Sequence, residues 1–165
     1  MSDHACDTKD VEARLRISEE RVRLVEASSG IGMFELELES DRLECTPQVA
    51  VLFGLDSRIP GATLADWERV IFADDVPKVR AAIETAMRTG RYHVEFRVTH
   101  RDGSLHWLLG NGQIVRDETH HARWLRGACY EITERKVLEA RLLALNETLE
   151  SRVAERTREL EAGVK

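Results

Sequence analysis

The C-terminal segment of the chain is polar and carries one narrow apolar stripe. Between Glu134 and Leu160 there is neither glycine nor proline, and branched apolar residues recur at helical spacing. The stripe consists of Leu138, Leu142, Leu145, Leu149, Val153 and Leu160. Because charged residues fill most of the remaining positions, a lone helix cannot bury this stripe. The pattern predicts a helix over 134–165 that forms a parallel coiled coil with a second copy, and hence a homodimer; a long helix packed on its own domain is the alternative.

A shorter seam of the same kind lies near the N-terminus. It consists of Val11, Leu15, Val22 and Val25. Gly30, which follows two serines, suits the left-handed end of a helix. The sequence therefore predicts a leader and an N-terminal cap helix over 1–28, and we expect the seam to contribute to the dimer coil.

Between these helices the apolar pattern changes to the period of two that is typical of half-buried strands. The alternation is clear in Phe34–Leu38, and Asp102-Gly103 marks a tight hairpin turn. Five strands are predicted, over 33–39, 42–45, 92–99, 105–115 and 122–132. Small helices are predicted between them, the longest over 74–89. This order of elements predicts an α+β domain over 29–133, built on a five-stranded antiparallel sheet with flanking helices.

Composition and charge exclude several classes of protein. The 165 residues include 24 basic and 30 acidic ones, for a net charge of −6, and no basic patch is interleaved with aromatic residues, so a nucleic-acid partner is not expected. No apolar run has the length of a membrane span or of a signal core, so we expect a cytoplasmic chain without a membrane partner. Cys6, Cys45 and Cys129 are far apart and form no CxxC motif, which indicates neither a disulfide framework nor a thiolate zinc site.

Three segments of the chain resemble the PAS family of sensor domains. Residues 18–35 are similar to its leading helix and first strand. Residues 95–107, with Arg-Asp-Gly-Ser at the turn, are similar to its central hairpin. Residues 127–136 read Gly-Ala-Cys-Tyr-Glu-Ile-Thr-Glu-Arg-Lys and resemble the exit motif Asp-Ile-Thr-Glu-Arg-Lys, with Glu131 in place of the aspartate. The resemblance implies the PAS fold for the domain between the two terminal helices.

The resemblance also implies a function. Residues 152–160 resemble the linkers that join PAS domains to histidine kinases, and less often to diguanylate cyclases. A non-catalytic module is implied, which dimerises and relays a signal through its coiled coil to a histidine kinase-type effector in cis or in trans. In similar PAS domains the acid of the exit motif pairs with the hairpin arginine, which implies a signal relay of Arg101, Glu131 and Thr133. The alternative for the Arg101–Glu131 pair is a surface ion pair without a signalling role. The alternatives for the whole module are a purely structural dimerisation module without a ligand and a cofactor-bearing photo- or redox sensor.

The sequence lacks the signatures of the cofactors that similar domains bind. Haem-binding PAS domains carry a ligating histidine on the long helix, and 74–89 contains none. The flavin-reactive cysteine motif of light sensors is also missing, and a metal site would need histidines from separate strands to converge. We therefore expect no cofactor and no metal. No glycine-rich phosphate loop is present, and the adjacent Asp74 and Asp75 suit a helix N-terminus better than acid–base catalysis, so no enzymatic activity is expected.

Apolar residues of the predicted sheet and helices are expected to enclose a core. The candidates for lining a ligand pocket are Phe34, Leu36, Leu52, Phe53, Val70, Val79, Ile83, Met87, Phe96 and Trp107. The same residues would also account for a closed core without any ligand. A cavity among them would favour a small or apolar ligand.

Overall fold

The structure is a computed structural model that describes residues 4–56 and 62–163, with side chains from residue 11 onward except at 26 and 27. The helices are α1 (His4–Ser29), α2 (Pro47–Leu52), α3 (Leu64–Glu68), α4 (Val76–Thr89) and α5 (Thr133–Ala162), and a 3-10 turn, Ala73–Asp75, precedes α4. The strands are β1 (Gly32–Glu37), β2 (Arg42–Cys45), β3 (Arg91–Thr99), β4 (Leu105–Arg116) and β5 (Ala122–Glu131). The chain divides into two compact units, Met1–Glu131 and Ile132–Lys165.

The five strands form one antiparallel sheet in the order β2-β1-β5-β4-β3. This confirms the predicted α+β fold with a five-stranded antiparallel sheet. The turn between β3 and β4 contains Gly103 with a φ of 82°, a left-handed conformation that glycine adopts without strain. The strand ends differ slightly from the prediction, and Leu38 lies just beyond β1.

The core of the first unit lies between one face of the sheet and the helices α2, α3 and α4. Along β3, the four residues Tyr92, Val94, Phe96 and Val98 are buried, as their alternation predicted. The register places Phe96 opposite Leu108, and Leu108 is fully buried. Since apolar side chains from the sheet and from three helices meet here, this region is also where a ligand would be enclosed.

Two glycines on the inner face of the sheet make room for aromatic rings. A Cβ atom on Gly127 would collide with the carbonyl of Asn111 and would lie 2.7 Å from Cζ of Phe34. A Cβ atom on Gly110 would lie 2.9 Å from Cε1 of Tyr92. The Phe34 and Tyr92 rings meet edge to face, with their centroids 6.0 Å apart. The small residues in β4 and β5 therefore set the position of both rings.

The second unit consists mainly of the helix α5. None of its residues from Thr133 to Ala162 is buried, and the six stripe residues are between 48% and 70% exposed. The four seam residues of α1 are exposed as well. Within the described ranges, no helix combines the length and the apolar character needed to cross a membrane.

Candidate functional site

A small cavity lies inside the core, with a volume of about 50 Å³. It is lined by Phe34, Leu36, Leu43, Val49, Phe53, Leu64, Trp67, Ile71, Val79, Ile83, Tyr92, Phe96, Leu125 and Cys129. These side chains are hydrocarbon or aromatic, apart from one indole N–H, one hydroxyl and one thiol. The lining therefore suits a small neutral molecule and offers no partner to an ion.

Six of the ten pocket residues that the sequence proposed line this cavity. They are Phe34, Leu36, Phe53, Val79, Ile83 and Phe96. The other four, Leu52, Val70, Met87 and Trp107, do not line it. Whether the cavity holds a ligand stays a prediction.

The helix α4 turns Met87 away from the cavity. Its buried positions are Val79, Ile83 and Ala86, which are spaced by four and three residues as one face of a helix requires. Met87 follows Ala86 and is therefore rotated to the edge of that face, where it is 39% exposed. Met87 therefore does not line the cavity, because the smaller Ala86 occupies the inward position.

The other three residues also lie outside the cavity, for different reasons. Trp107 is the cross-strand neighbour of Arg97, so it projects from the outer face of the sheet, where the Arg97 guanidinium carbon lies 5.3 Å from its ring. Leu52 is buried but lines a separate groove on the surface of the domain. Val70 packs at the margin of the core, and its carbonyl accepts a hydrogen bond of 2.9 Å from Thr99 N.

Trp67 and Tyr92 are the most prominent lining residues that were not proposed for the pocket. Tyr92 alternates with Phe96 along β3, so the sequence contained the signal for it. Trp67 comes from the five-residue helix α3, which is too short to show which face is buried. Its ring is 1% exposed and meets Phe53 edge to face, with the centroids 5.0 Å apart. Its Nε1 has no hydrogen-bond partner among the described residues.

The two other polar groups of the cavity remain uncharged. Burial raises the pKa of the Cys129 thiol to about 12, and the nearby Cys45 adds to this effect. Burial likewise raises the pKa of the Tyr92 hydroxyl well above its usual value. Neither group therefore introduces a negative charge into the cavity at physiological pH.

A buried ion pair joins the start of α4 to β3. Asp75 was expected to cap the helix, but its carboxylate makes no capping hydrogen bond and instead accepts three hydrogen bonds from Arg97. The donors are the backbone N and Nε, both at 2.8 Å, and Nη2 at 2.7 Å. These hydrogen bonds hold the pKa of Asp75 below its usual value. Arg97 also lies over the Phe72 ring, 4.2 Å from its centroid.

The predicted Arg101–Glu131 pair is replaced by two other pairs. Arg101 forms an ion pair with Asp56, which lies in the connection between α2 and α3. Glu131 Oε1 is 2.7 Å from Nδ1 of His106 on β4. Glu131 pairs with His106 because His106 lies on β4, the neighbour of β5 in the sheet, whereas Arg101 lies in the turn that precedes β4.

His106 belongs to a larger polar cluster at this end of the sheet. Its Nε2 is 2.8 Å from Ser104 Oγ, and Ser104 Oγ is 2.5 Å from Asp102 Oδ1. The His100 ring stacks on the His106 ring with centroids 3.8 Å apart, and His100 Nε2 is 2.9 Å from the carbonyl of Leu52 in α2. The cluster thus links the hairpin, α2 and the last residue of β5. It was missed because the sequence places these residues on three separate segments.

Among the described residues, histidine, cysteine and carboxylate side chains form no group of three or more that could hold a metal ion. The hydrogen bonds of the polar cluster join the hairpin, α2 and β5.

The fold of the first unit is that of one known family. The profile of the PAS fold matches residues 42–129, more than half of the chain. The chain belongs to the PAS family.

Part of a curated sensor protein is similar to this chain in sequence. The chain is 29% identical over 114 residues to the sensor protein FixL of Bradyrhizobium diazoefficiens. The match covers 68% of this chain but only 22% of that protein. The chain therefore spans about a fifth of the length of this relative.

Solved structures show the same fold at lower sequence identity. A sensory box histidine kinase/response regulator from Burkholderia thailandensis superposes with a TM-score of 0.66 at 24% identity, covering 79% of this chain and 98% of that chain. The N-terminal domain of a diguanylate cyclase with PAS/PAC sensor from Marinobacter aquaeolei superposes with a TM-score of 0.58 at 19% identity, covering 64% and 98%. At these identities the similarity shows a shared fold and nothing further.

Proposed function

We propose that the chain is a cytoplasmic sensory PAS module without catalysis of its own, which dimerises and passes a signal through α5 to a histidine kinase-type effector in cis or in trans. In this proposal 1–28 form the leader and cap helix, 29–133 the sensing core and 134–165 the linker helix. The similarity to the sensor protein FixL and to a sensory histidine kinase/response regulator supports a kinase as the class of effector.

The observation that carries the proposal is the hydrogen bond between Glu131 and His106. Glu131 is the last residue of β5 and stands two positions before Thr133, the first residue of α5. The bond of 2.7 Å crosses from β5 to β4, so a change in the twist between these strands alters it directly before the linker helix begins. We therefore assign the relay to Glu131, His106 and Thr133, with Arg101 outside it.

Both ring nitrogens of His106 have a partner. Nε2 lies 2.8 Å from Ser104 Oγ in the hairpin, and Nδ1 lies 2.7 Å from Glu131 Oε1 at the end of β5. The ring therefore connects the hairpin turn to the residue that precedes the linker helix. In this proposal the His106–Glu131 hydrogen bond is present in one signalling state and broken in the other.

The exposed stripe of α5 supports a dimer. Its leucines and valines follow the spacing of a coiled-coil seam, and α5 by itself cannot bury them. Burying such a stripe against a second copy is favourable by about 25 cal/mol per Å² of apolar surface removed from water. In a dimeric coiled coil, a change at the relay would alter the rotation or the register of the two helices and so reach the effector.

The relay is tested by fusing the chain through α5 to a histidine kinase transmitter module and measuring autophosphorylation. Glu131→Gln and His106→Gln each remove one partner of the contact, and both are expected to shift the basal output in the same direction. The double variant should resemble either single one, because two partners of one interaction are not additive. Arg101→Gln is the matched control, since Arg101 pairs with Asp56 and should leave the output unchanged.

Two results would contradict this relay. Wild-type output in both single variants, with the fold intact by circular dichroism, would remove Glu131 and His106 from it. An altered output in Arg101→Gln alone would restore the pairing that the sequence suggested.

A further inference from the structure

The ring of His106 lies among two carboxylates and a second imidazole. Its Nδ1 is 2.7 Å from Glu131 Oε1, and its Nε2 is 2.8 Å from Ser104 Oγ, which in turn is 2.5 Å from Asp102 Oδ1. The His100 ring stacks on it, with the centroids 3.8 Å apart and the planes at 15°. Histidine is the side chain whose charge ordinarily changes between about pH 5 and 8. The contact at the end of β5 therefore contains a group that can bind or release a proton in this range.

The charged groups that face this imidazole are mainly acidic. Glu131 approaches it from β5, and Asp102 approaches it from the turn through Ser104. Hydrogen bonds from Ser104 hold the pKa of Asp102 below its usual value, and the two nearby histidines act in the same direction, so Asp102 is ionised at neutral pH. Arg101, the cation of the turn, pairs with Asp56. A proton on the imidazole thus places a positive charge close to two negative ones.

The contacts of the two stacked rings indicate which of them takes the proton. His100 Nε2 is 2.9 Å from the carbonyl of Leu52 in α2, and a carbonyl oxygen only accepts, so His100 donates from this nitrogen. Positive charges on both rings would repel each other across the stack, so the pair takes one added proton before a second. His106 contacts a carboxylate, whereas His100 contacts a neutral carbonyl. The added proton therefore belongs to His106.

Protonation changes the hydrogen bonds that His106 can make. A neutral imidazole has one N–H and one acceptor nitrogen, whereas the imidazolium form has two N–H groups. Protonated His106 donates to Glu131 and to Ser104 at once, and the Ser104 hydroxyl keeps its single hydrogen for Asp102. Neutral His106 that donates to Glu131 leaves this one hydroxyl hydrogen to be shared between Nε2 and Asp102. Because hydrogen bonds between ionised groups are also the stronger ones, protonation strengthens the connection to Glu131.

We propose that the His106–Glu131 contact is a proton-controlled switch, in which a proton on His106 holds Glu131 against β4 and its loss at higher pH releases Glu131 in front of the linker helix. The controlling ligand is the proton itself, over roughly the range of pH 5 to 8 in which histidine changes charge. The inference names a regulation of the proposed relay. Its signalling consequence rests on the proposed function, whereas the proton step is tested on the chain alone.

The proton step is measured by NMR on the full ¹⁵N-labelled chain between about pH 5 and 9, a range that spans the titration of histidine. Long-range ¹H–¹⁵N spectra distinguish the imidazolium form from each neutral tautomer. The backbone amides of Glu131 and Thr133 are expected to shift with the same midpoint as the His106 ring. His106→Gln should remove this shift. His93→Gln is the matched control and should keep it, because His93 lies elsewhere on the sheet, with Nδ1 2.6 Å from Asn111 Oδ1.

The signalling step is measured as autophosphorylation of the kinase fusion at about pH 6 and 8, on either side of the ordinary histidine value, with the transmitter module alone as the reference for its own pH dependence. The wild type should change its output by about 5-fold, the difference between a neutral and a charge-assisted hydrogen bond. His106→Arg, which is charged at both pH values, should keep the low-pH output, and His106→Gln the high-pH output. His100→Phe preserves an aromatic ring in the stack and should keep the pH response.

Three results would overturn the switch: amides of Glu131 and Thr133 that do not follow the His106 ring, a pH response of these amides that persists in His106→Gln, and a folded His100→Phe without any response. The wild-type titration decides alone if the variants fail to fold. Failure of the switch is distinguishable from failure of the relay. An altered output in Glu131→Gln at constant pH, with amides that ignore the proton, contradicts the switch only, whereas amides that follow the proton with a constant output contradict the relay.

Discussion

Replacing Asp75 by asparagine exchanges only one carboxylate oxygen for an amide nitrogen. We nevertheless expect this change to lower the stability of the domain strongly. Asp75 is 6% exposed, and both of its carboxylate oxygens accept from Arg97. An amide nitrogen in place of one oxygen faces a donor and loses its hydrogen bonds, and Arg97 loses its counter-charge. The Arg97 side chain is 25% exposed, so water compensates in part. We expect a loss of about 2–3 kcal/mol, at or just below the lower end of the roughly 3–5 kcal/mol that breaking a fully buried pair costs.

The assay is thermal and urea unfolding followed by circular dichroism. For a domain of this size 1 kcal/mol corresponds to about 4 °C in Tm, so the variant should melt about 8–12 °C lower. Asp74→Asn is the matched control, because the neighbouring Asp74 is exposed. It should change stability by no more than about 0.5 kcal/mol.

The pH dependence gives a second check on the same pair. The hydrogen bonds from Arg97 lower the pKa of Asp75 below its usual value of 3.8. A carboxyl group whose pKa is lower in the folded state contributes its full stability above the unfolded pKa and loses it as the pH falls through the folded pKa. The stability gap between the wild type and Asp75→Asn should therefore be constant from pH 6 to 8 and narrow below about pH 4. A gap under about 0.5 kcal/mol at pH 7, or one that does not narrow in acid, would refute the reasoning.

Three further predictions concern the coil, the sheet and the core thiol. The double variant Leu142→Glu/Leu149→Glu should be monomeric in light scattering, because charges in the seam oppose pairing, and an unchanged dimer mass would exclude the coil as the main interface. Gly127→Ala should lower Tm by at least 10 °C, since its Cβ would meet the Asn111 carbonyl and the Phe34 ring; a loss of a few degrees would mean that the two strands can separate to admit it. Cys129 should resist iodoacetamide at pH 8 until the protein is unfolded, because burial raises the pKa of its thiol to about 12, and rapid native-state labelling in peptide mapping would contradict this.

Repeating local patterns were enough to derive the elements of the fold. The alternation of Tyr92, Val94, Phe96 and Val98 indicated β3 and its buried face, and the Asp102-Gly103 turn indicated the hairpin. The glycine-free segment after Glu134 indicated α5. These patterns involve residues two to four positions apart, so strands and helices can be predicted from them without information on distant contacts.

The faces of less regular segments could not be derived in this way. Residues 105–109 read Leu-His-Trp-Leu-Leu, which does not alternate, and only pairing with Arg97 places Trp107 on the outer face. Asp74 and Asp75 are adjacent and identical in type, yet one is exposed and the other buried against Arg97. Their sequence context predicts a capping position for both, because the difference between them depends on which strand passes beside the turn.

The sequence by itself determined the class of fold, the exposed stripe of α5 and the apolar character of the core. Only the tertiary structure decided which partner each polar group takes. Glu131 contacts His106 and not Arg101, and the Trp67 indole N–H makes no hydrogen bond to any described residue. The physical reason is that apolar periodicity reflects the burial of a whole face, and such a face can pack against many different apolar neighbours. A hydrogen bond, in contrast, requires two atoms within about 3 Å and so depends on the register of strands that are distant in sequence.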